Sequence, residues 1–175
     1  PAMAEAGRKD PRVAELLEDH GWEPGKARAA SERMVRQADF LTAGPTGPYC
    51  HVLAGNPPYL RFTNLHQLLR AEYQAALPAY ACSDLLHSFL DRCASVLMPD
   101  GEVALVTADR WLFNVGAAKL RESLGNRLGI DRLQRLDPTS AFYRPKDRRA
   151  GSPPRIHPVS VVLRPSSVAA IPLSA

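Results

Sequence analysis

The residues of this chain whose types and spacing could do chemistry are Asn56, Pro57, Pro58 and Tyr59. An exocyclic aromatic amine is a poor nucleophile because its lone pair is delocalised into the ring. The Asn56 side-chain oxygen and the Pro57 main-chain carbonyl could each accept a hydrogen bond from one amino hydrogen and so free that lone pair. The prolines stiffen the segment, since each fixes its own φ, and Tyr59 offers a flat face on which a flipped base can stack. This segment, hereafter the NPPY loop, therefore suits alkylation of a heterocyclic amine.

The same four residues also suit a tight loop without chemistry, because Asn-Pro and Pro-Pro are common turn dipeptides. Their position along the chain separates the two interpretations. The short apolar run from His51 to Ala54 predicts a strand that is covered on both faces. Ligands of α/β sheets bind beyond the carboxyl ends of the strands, which is where Asn56 would lie. The context therefore favours a functional loop.

The rest of the chain must position this loop, and it alternates predicted helices with predicted strands. Helices are expected at 10–19, 26–38, 83–97 and 115–128. Ser83 is a possible cap of the third of these helices. Strands are expected at 51–54, 102–107, 130–136 and 157–163, with a turn at 99–101 and a long polar loop at 138–154. This alternation predicts an α/β fold built on one sheet.

Composition limits the classes of function. The chain has 175 residues, of which 45% are apolar, so it can bury a sizeable core. The net charge of +4 slightly favours a polyanionic partner. Cys50, Cys82 and Cys93 form no paired motif, so we expect no disulfide framework, no metal site and a cytoplasmic location. No apolar run reaches the about 20 residues that span a bilayer, so we expect no membrane association.

Some further residues have two interpretations each. The basic loop that contains Arg144, Lys146, Arg148 and Arg149 could contact DNA phosphates or simply be solvated. Trp111 could stack on DNA, but a packed aromatic residue after a strand is the expectation. Asp84 could brace the NPPY loop or serve as an acid at a helix N-terminus.

The stretch from Val52 to Arg61 resembles the strand and catalytic loop of the N6-adenine-specific DNA methyltransferases, in the branch of type IIG restriction–modification and phage-exclusion methylases. The similarity continues through 83–101, 103–112 and 119–121 and covers roughly residues 8–165. It implies a partial Rossmann-like methyltransferase sheet, the catalytic half of the domain, flanked by helices. It also implies methyl transfer from S-adenosylmethionine to N6 of a flipped adenine in double-stranded DNA, as part of restriction–modification or phage defence.

The resemblance also assigns roles to residues outside the NPPY loop. Asp39 would accept a hydrogen bond from the cofactor's amino group, Phe40 would pack on the cofactor's adenine ring, and Asn56 would also contact the cofactor. Phe142, with Tyr143 in reserve, would hold the flipped adenine on the face opposite Tyr59. The implied organisation is a helical remnant of the cofactor-binding half at 1–38, a catalytic half at 39–165 and a disordered tail at 166–175.

Two other functions remain open at this point. Protein glutamine methyltransferases have a similar loop and use it on an amide nitrogen. A catalytically inactive fragment could instead bind only DNA or a partner protein. The basic loop, Arg61 and Phe142 favour DNA methylation.

Two family features are missing before the NPPY loop. No glycine-rich turn for the cofactor's methionine half occurs before Asn56, and Arg8 stands where the family has an acidic residue for the ribose. We therefore expect the chain to begin inside the cofactor-binding half. The strand at 51–54 would then form a sheet edge, which invites self-association or pairing with a missing segment.

We predict weak or no binding of S-adenosylmethionine by these 175 residues alone, because the methionine half of the cofactor would lack its binding turn. Isothermal titration calorimetry measures this directly. Micromolar affinity would contradict the prediction.

Overall fold

The chain folds into two compact units, Pro1–Asp39 and Phe40–Ala175. A computed structural model describes residues 11–34, 38–44, 46–137 and 157–166. The first unit contains helices α1 (Pro11–Asp19) and α2 (Pro24–Met34), which contact each other. The connection between them passes through Gly21 at a φ of 86°, a conformation that favours glycine.

The second unit carries the NPPY loop, and it alternates helices with strands. Its helices are α3 (Gln67–Ala76), α4 (Leu85–Val96), α5 (Arg110–Phe113) and α6 (Ala118–Gly125), with 3₁₀ turns at Phe62–Asn64, Ala79–Ala81 and Val115–Ala117. Its strands are β1 (Cys50–Gly55), β2 (Leu97–Ala108), β3 (Leu128–Arg135) and β4 (Pro158–Pro165).

Within the described residues these strands form one mixed sheet in the order β1-β2-β4-β3. β1 runs parallel to β2, whereas β4 runs antiparallel to both β2 and β3. The α/β class predicted from the sequence is therefore confirmed, with helices flanking a mixed sheet of four described strands. β4, which comes last in sequence among the described strands, occupies an interior position of that sheet.

One face of the sheet forms the core. Val103, Leu105 and Thr107 are buried on β2, and each pairs with a buried residue of β4. Successive side chains of a strand point to opposite faces, so this alternation defines the covered side. Trp111 is 0% exposed, and its Nε1 donates to Thr107 Oγ1 at 3.1 Å. The expectation that Trp111 packs inside is confirmed.

A partly buried ion pair joins α4 to the segment that follows α6. Arg127 Nη2 donates to Asp91 Oδ1, which also accepts from the Tyr80 hydroxyl at 2.8 Å. Ser123 Oγ in turn donates to the Tyr80 hydroxyl at 3.0 Å. Burying a charge is costly unless it is paired and hydrogen-bonded, and here each partner is satisfied. The network fixes how the two helices pack.

Three expectations about these elements were wrong in detail. β1 is not covered on both faces, because Val52 is 70% exposed, whereas its position at the edge of the described sheet agrees with the expectation for 51–54. The cap of α4 is Asp84 rather than Ser83, because the Asp84 side chain accepts from Leu86 N. The helix expected at 115–128 begins with a 3₁₀ turn and is helical only through Ala118–Gly125.

The contact between β1 and β2 requires a glycine. The pairing register shifts between Cys50, which faces Leu97, and Val52, which faces Glu102. Residues 99–101, which were expected to form a turn, thus lie inside β2, opposite the point where the pairing with β1 is irregular. A Cβ at Gly101 would lie 2.9 Å from the His51 carbonyl oxygen and 2.6 Å from Leu97 Cδ1. Only a residue without a side chain fits this approach.

We predict that Gly101→Ala lowers the free energy of unfolding by about 1–3 kcal/mol, because the added methyl group overpacks a backbone contact. Gly116→Ala is the matched control, since a Cβ there meets no atom within 4 Å, and it should stay within about 0.5 kcal/mol of the parent. Urea denaturation of the three proteins measures the difference. Equal stabilities for Gly101→Ala and Gly116→Ala would contradict this account of the β1–β2 contact.

Candidate functional site

The NPPY loop lies beyond the carboxyl end of β1. Because β1 and β2 are parallel, the residues that follow β2 lie at the same edge of the sheet. Asn56 and Pro58 are exposed, Pro57 is buried and Tyr59 is half-buried. The loop thus keeps its amide at the surface while one proline and part of the aromatic ring anchor it.

The Tyr59 hydroxyl contacts two acceptors. It lies 2.5 Å from Asn56 Oδ1 and 2.8 Å from the carbonyl oxygen of Val106 on β2. Burial raises the pKa of Tyr59 above its ordinary value, so the hydroxyl stays protonated at neutral pH. One proton is shared between both acceptors. This bond ties the NPPY loop to β2 and orients the oxygen of the Asn56 amide.

The Asn56 oxygen keeps capacity for a second partner. A carbonyl-type oxygen has two lone pairs, and the Tyr59 hydroxyl uses one of them. The other can accept from an amino hydrogen of a ligand at the surface. The Tyr59 ring itself packs partly against the core, so the loop combines an anchored ring with an exposed acceptor.

The chain leaves the NPPY loop through a short backbone bridge. Arg61 and Asp84 form an isolated antiparallel pair. On one side of this pair Leu85 N donates to Leu60 O at 2.8 Å, and on the other Phe62 N donates to Ser83 O at 3.2 Å. The residue directly after Tyr59 is therefore bonded to the first residue of α4.

Asp84 is 5% exposed, and its two oxygens have different partners. Oδ1 accepts from Leu86 N at 3.1 Å and caps α4, while Oδ2 accepts from Arg110 Nη2 at 2.7 Å. The interpretation of Asp84 as an acid at a helix N-terminus is confirmed by this cap, and a bracing role toward the NPPY loop stays a prediction.

The residues expected at the cofactor ring, Asp39 and Phe40, belong to different units and are described separately. Phe40 opens the second unit and stacks on Phe89, with ring centroids 5.2 Å apart. Its carbonyl oxygen accepts from Arg92 Nε at 3.3 Å. Asp39 ends the first unit and is exposed. One face of the Phe40 ring is therefore already packed, and the cofactor roles of both residues stay predictions.

The remaining predicted site residues, Phe142, Tyr143, Arg144, Lys146, Arg148 and Arg149, lie outside the described residues. Their assigned roles as base-stacking and phosphate-binding groups therefore stay predictions. The site visible in the structure consists of the NPPY loop and the groups that hold it.

The described ranges contain neither a metal-binding cluster nor a membrane-spanning helix. There, no group of three or more His, Cys, Asp or Glu side chains could hold a metal ion. Within the same ranges, no helix is both long and apolar enough to cross a membrane. Cys50, Cys82 and Cys93 are free thiols, and burial raises the pKa of Cys93 to about 12, which leaves this thiol unreactive.

Sequence reasoning missed the partners that hold the loop. Arg110 lies within 103–112, a stretch covered by the family resemblance, and Val106 lies within the strand expected at 102–107. The sequence assigned neither residue a role at the site. Arg121, which donates to the Trp111 carbonyl at 3.0 Å and the Asn114 carbonyl at 2.9 Å, had no role. A cation directly after a strand could have indicated a partner for Asp84, but 26 residues separate the two.

Comparison with known proteins identifies the family to which the chain belongs. The sequence profile of the Eco57I restriction-modification methylase family matches residues 26–142. The type II methyltransferase M.PaeR7I of Pseudomonas aeruginosa is 31% identical over 132 residues, which are 75% of this chain and 23% of that protein. The type II methyltransferase M.XhoI of Xanthomonas vasicola is 31% identical over an alignment of 162 positions, which covers 82% of this chain and 29% of that protein. The chain thus spans about a quarter of the length of these relatives.

A solved structure supports the fold. A protein from Listeria monocytogenes, described as a class I S-adenosylmethionine-dependent methyltransferase, superposes with a TM-score of 0.54 at 14% identity, over 85% of this chain and 42% of that one. At that identity the likeness concerns the fold alone. With the family profile covering most of the chain and an NPPY loop beyond a parallel edge strand, this chain belongs to the Eco57I restriction-modification methylase family.

Proposed function

We propose that this chain is the catalytic segment of a site-specific DNA methyltransferase of a restriction–modification system. In this proposal the methyl group of S-adenosylmethionine is transferred to N6 of an adenine flipped out of double-stranded DNA. The observation that carries the proposal is the Asn56 side-chain oxygen, exposed beyond β1 and oriented by the Tyr59 hydroxyl at 2.5 Å. Family membership and the methyltransferase relatives support it.

The proposed chemistry needs acceptors that are in place before reaction. The Asn56 oxygen would take one hydrogen of the adenine amine, and the Pro57 carbonyl the other. Both hydrogen bonds would localise the lone pair on nitrogen. The nitrogen would become positively charged on accepting the methyl group, as the bond between that group and the cofactor's sulfur breaks, and it would then release one proton to solvent. Fixed dipoles stabilise a reacting group better than water does because they need not reorganise. The rigid prolines and the bond from Tyr59 to Val106 supply that fixity.

The target base would be held by stacking. A base must leave the duplex before an enzyme can reach its amine, and aromatic faces compensate for the lost stacking. Tyr59 would supply one face and Phe142 the other, with Arg144, Lys146, Arg148 and Arg149 on the DNA backbone. The net charge of +4 agrees with a polyanionic partner.

The described residues fit one end of the proposed cofactor. The half-buried Phe40 ring provides an apolar surface for an adenine ring, and the exposed Asp39 carboxylate is an acceptor suited to its amino group. When bound, S-adenosylmethionine supplies an activated methyl group. The described residues before Asn56 contain no glycine-rich turn for its methionine end. Weak cofactor binding by these residues alone stays a prediction.

Setting and assembly follow from the same proposal. A DNA substrate and the free thiols Cys50, Cys82 and Cys93 favour a reducing cytoplasm. We also propose that the exposed edge of β1 pairs either with a second copy or with a further segment of the protein. The 70% exposure of Val52 on this edge strand supports such pairing.

A direct assay tests the proposal against protein glutamine methylation. The protein encoded by the full reading frame that contains these residues is supplied with labelled S-adenosylmethionine and either duplex DNA or a glutamine-containing peptide. We expect label in DNA, at adenine N6 after nucleoside digestion. Label in the peptide alone, or in neither substrate, would overturn the proposal.

We predict that Asn56→Ala in that protein lowers kcat for DNA methylation by about 100-fold or more, the scale seen when one preorganised hydrogen-bonding group is removed from a reaction site. Asn64→Ala is the control, because Asn64 is an exposed asparagine in the 3₁₀ turn that follows the loop. Initial rates at saturating DNA measure both. A similar loss in the two variants would mean that Asn56 has no role in the reaction.

We predict that Tyr59→Phe keeps base stacking but lowers kcat about five- to tenfold, because the lost hydroxyl bond is worth on the order of 1 kcal/mol. Tyr59→Ala should in addition raise KM for DNA, since the ring is lost. If the hydroxyl acts by orienting Asn56, its effect should disappear in an Asn56→Ala background. Fully additive losses in this double-mutant cycle would refute the orienting role.

A further inference from the structure

The segment after β2 is firmly attached to the sheet. Asp109 N donates to the His157 carbonyl at 2.9 Å, which joins it to the residue that precedes β4. Trp111 is fully buried, and Arg121 holds the Trp111 and Asn114 carbonyls. Arg110 therefore projects from a backbone with little freedom to move.

An ion pair with Arg110 holds the Asp84 carboxylate in place. The Arg110 side chain is 31% exposed and the Asp84 side chain 8% exposed, and their closest atoms are 2.7 Å apart. A partly buried pair of this kind is screened less than a surface pair, and removing either partner leaves a charge without its counterion. Because Asp84 Oδ1 is already bonded to Leu86 N, Oδ2 is the atom that faces Arg110.

Asp84 is in turn bonded to the exit of the NPPY loop. Its backbone pairs with Arg61, and the flanking bonds from Leu85 N to Leu60 O and from Phe62 N to Ser83 O close the bridge. The loop is thus connected to β2 at two points. One is the Tyr59 hydroxyl on Val106, and the other runs through Arg110, Asp84 and Leu60.

We infer that Asp84 and Arg110 are positioning residues for the NPPY loop, and that their ion pair sets where Tyr59 and Asn56 stand relative to β2. The inference rests on the proposed function for its consequence, since misplaced acceptors would slow methyl transfer. The physical coupling itself is independent of any activity. It predicts that weakening the ion pair opens the backbone bridge locally while the core stays folded.

Amide hydrogen exchange of the full 175-residue chain tests the coupling. Asp84→Asn is the informative variant because asparagine caps helices as well as aspartate does, so only the charge opposite Arg110 is lost. Local opening is read from the amides that make the bridge. We expect the Leu85 and Phe62 amides to exchange at least about tenfold faster than in the parent chain. The amides shared by β2 and β4 should change much less.

A set of paired variants separates positioning from general destabilisation. Arg110→Met should behave like Asp84→Asn, and Arg110→Lys, which keeps the charge, should restore part of the protection. Glu102→Gln is the control, because it removes an ion pair with Arg164, at 2.7 Å, on β2 and β4. It should leave the Leu85 and Phe62 amides unchanged. If the bridge and sheet amides accelerate by the same factor in Asp84→Asn, the pair stabilises the fold generally and the inference is wrong.

An activity measurement adds a second, separate outcome. In the protein of the full reading frame, Asp84→Asn and Arg110→Lys should lower kcat at least about fivefold with KM for DNA within about twofold, since the loop is displaced rather than removed. An unchanged kcat together with faster bridge exchange would overturn the catalytic consequence. If the parent protein methylates no DNA, the proposed function fails, while the exchange experiment still decides whether the ion pair positions the loop.

Discussion

The parallel pairing of β1 with β2 is the contact on which the rest of this site depends. Parallel strands bring their carboxyl ends to the same edge of a sheet, so the residues after each strand meet there. The NPPY loop follows β1, and Asp109 and Arg110 follow β2. A hydroxyl bond to Val106 and an ion pair to Asp84 are possible only because this register holds.

That pairing is sterically demanding and, in the described residues, one-sided. β1 has β2 as its single neighbour, and the two backbones approach so closely at Gly101 that no side chain fits. A strand held on one side has fewer hydrogen bonds to resist fraying. The additional bonds from Tyr59, Leu60 and Phe62 to neighbouring elements compensate by fixing the segment that follows the strand.

Local patterns in the sequence predicted much of this fold. The apolar spacing within α4 and the short apolar run before Asn56 identified elements whose observed bounds are close to those expected, and the motif located the NPPY loop directly after its strand. The position of β1 at a sheet edge was predicted from the family features missing before it. The exposure of Val52 was not predicted, because a short apolar run by itself indicates a strand covered on both faces. Asp84 rather than Ser83 caps α4 because the helix begins one residue later than expected, a difference within the uncertainty of any helix end.

The long-range contacts, including those that hold the loop, could not be predicted from the sequence for a different reason. Arg110 and Asp84 are 26 residues apart, and Arg127 and Asp91 are 36 apart, so their pairing follows from the tertiary arrangement and not from spacing along the chain. Val106 bonds to Tyr59 through a backbone oxygen, an atom that every residue has. Nothing in its side chain marks it as a partner. Residue type indicates the chemistry of a group, but it does not indicate which group lies opposite.

The interior position of β4 has a consequence for the order in which the domain can be completed. β2 and β3 are bridged only by β4, whose residues come last among the described strands. Contacts between distant parts of a chain form slowly because the intervening loop must first close. During synthesis β1, the NPPY loop and β2 would therefore emerge well before β4, the strand that pairs with β2 and completes the core. The site would acquire its final geometry only after β4 has been made, and until then β2 would expose an unpaired apolar edge that is open to aggregation.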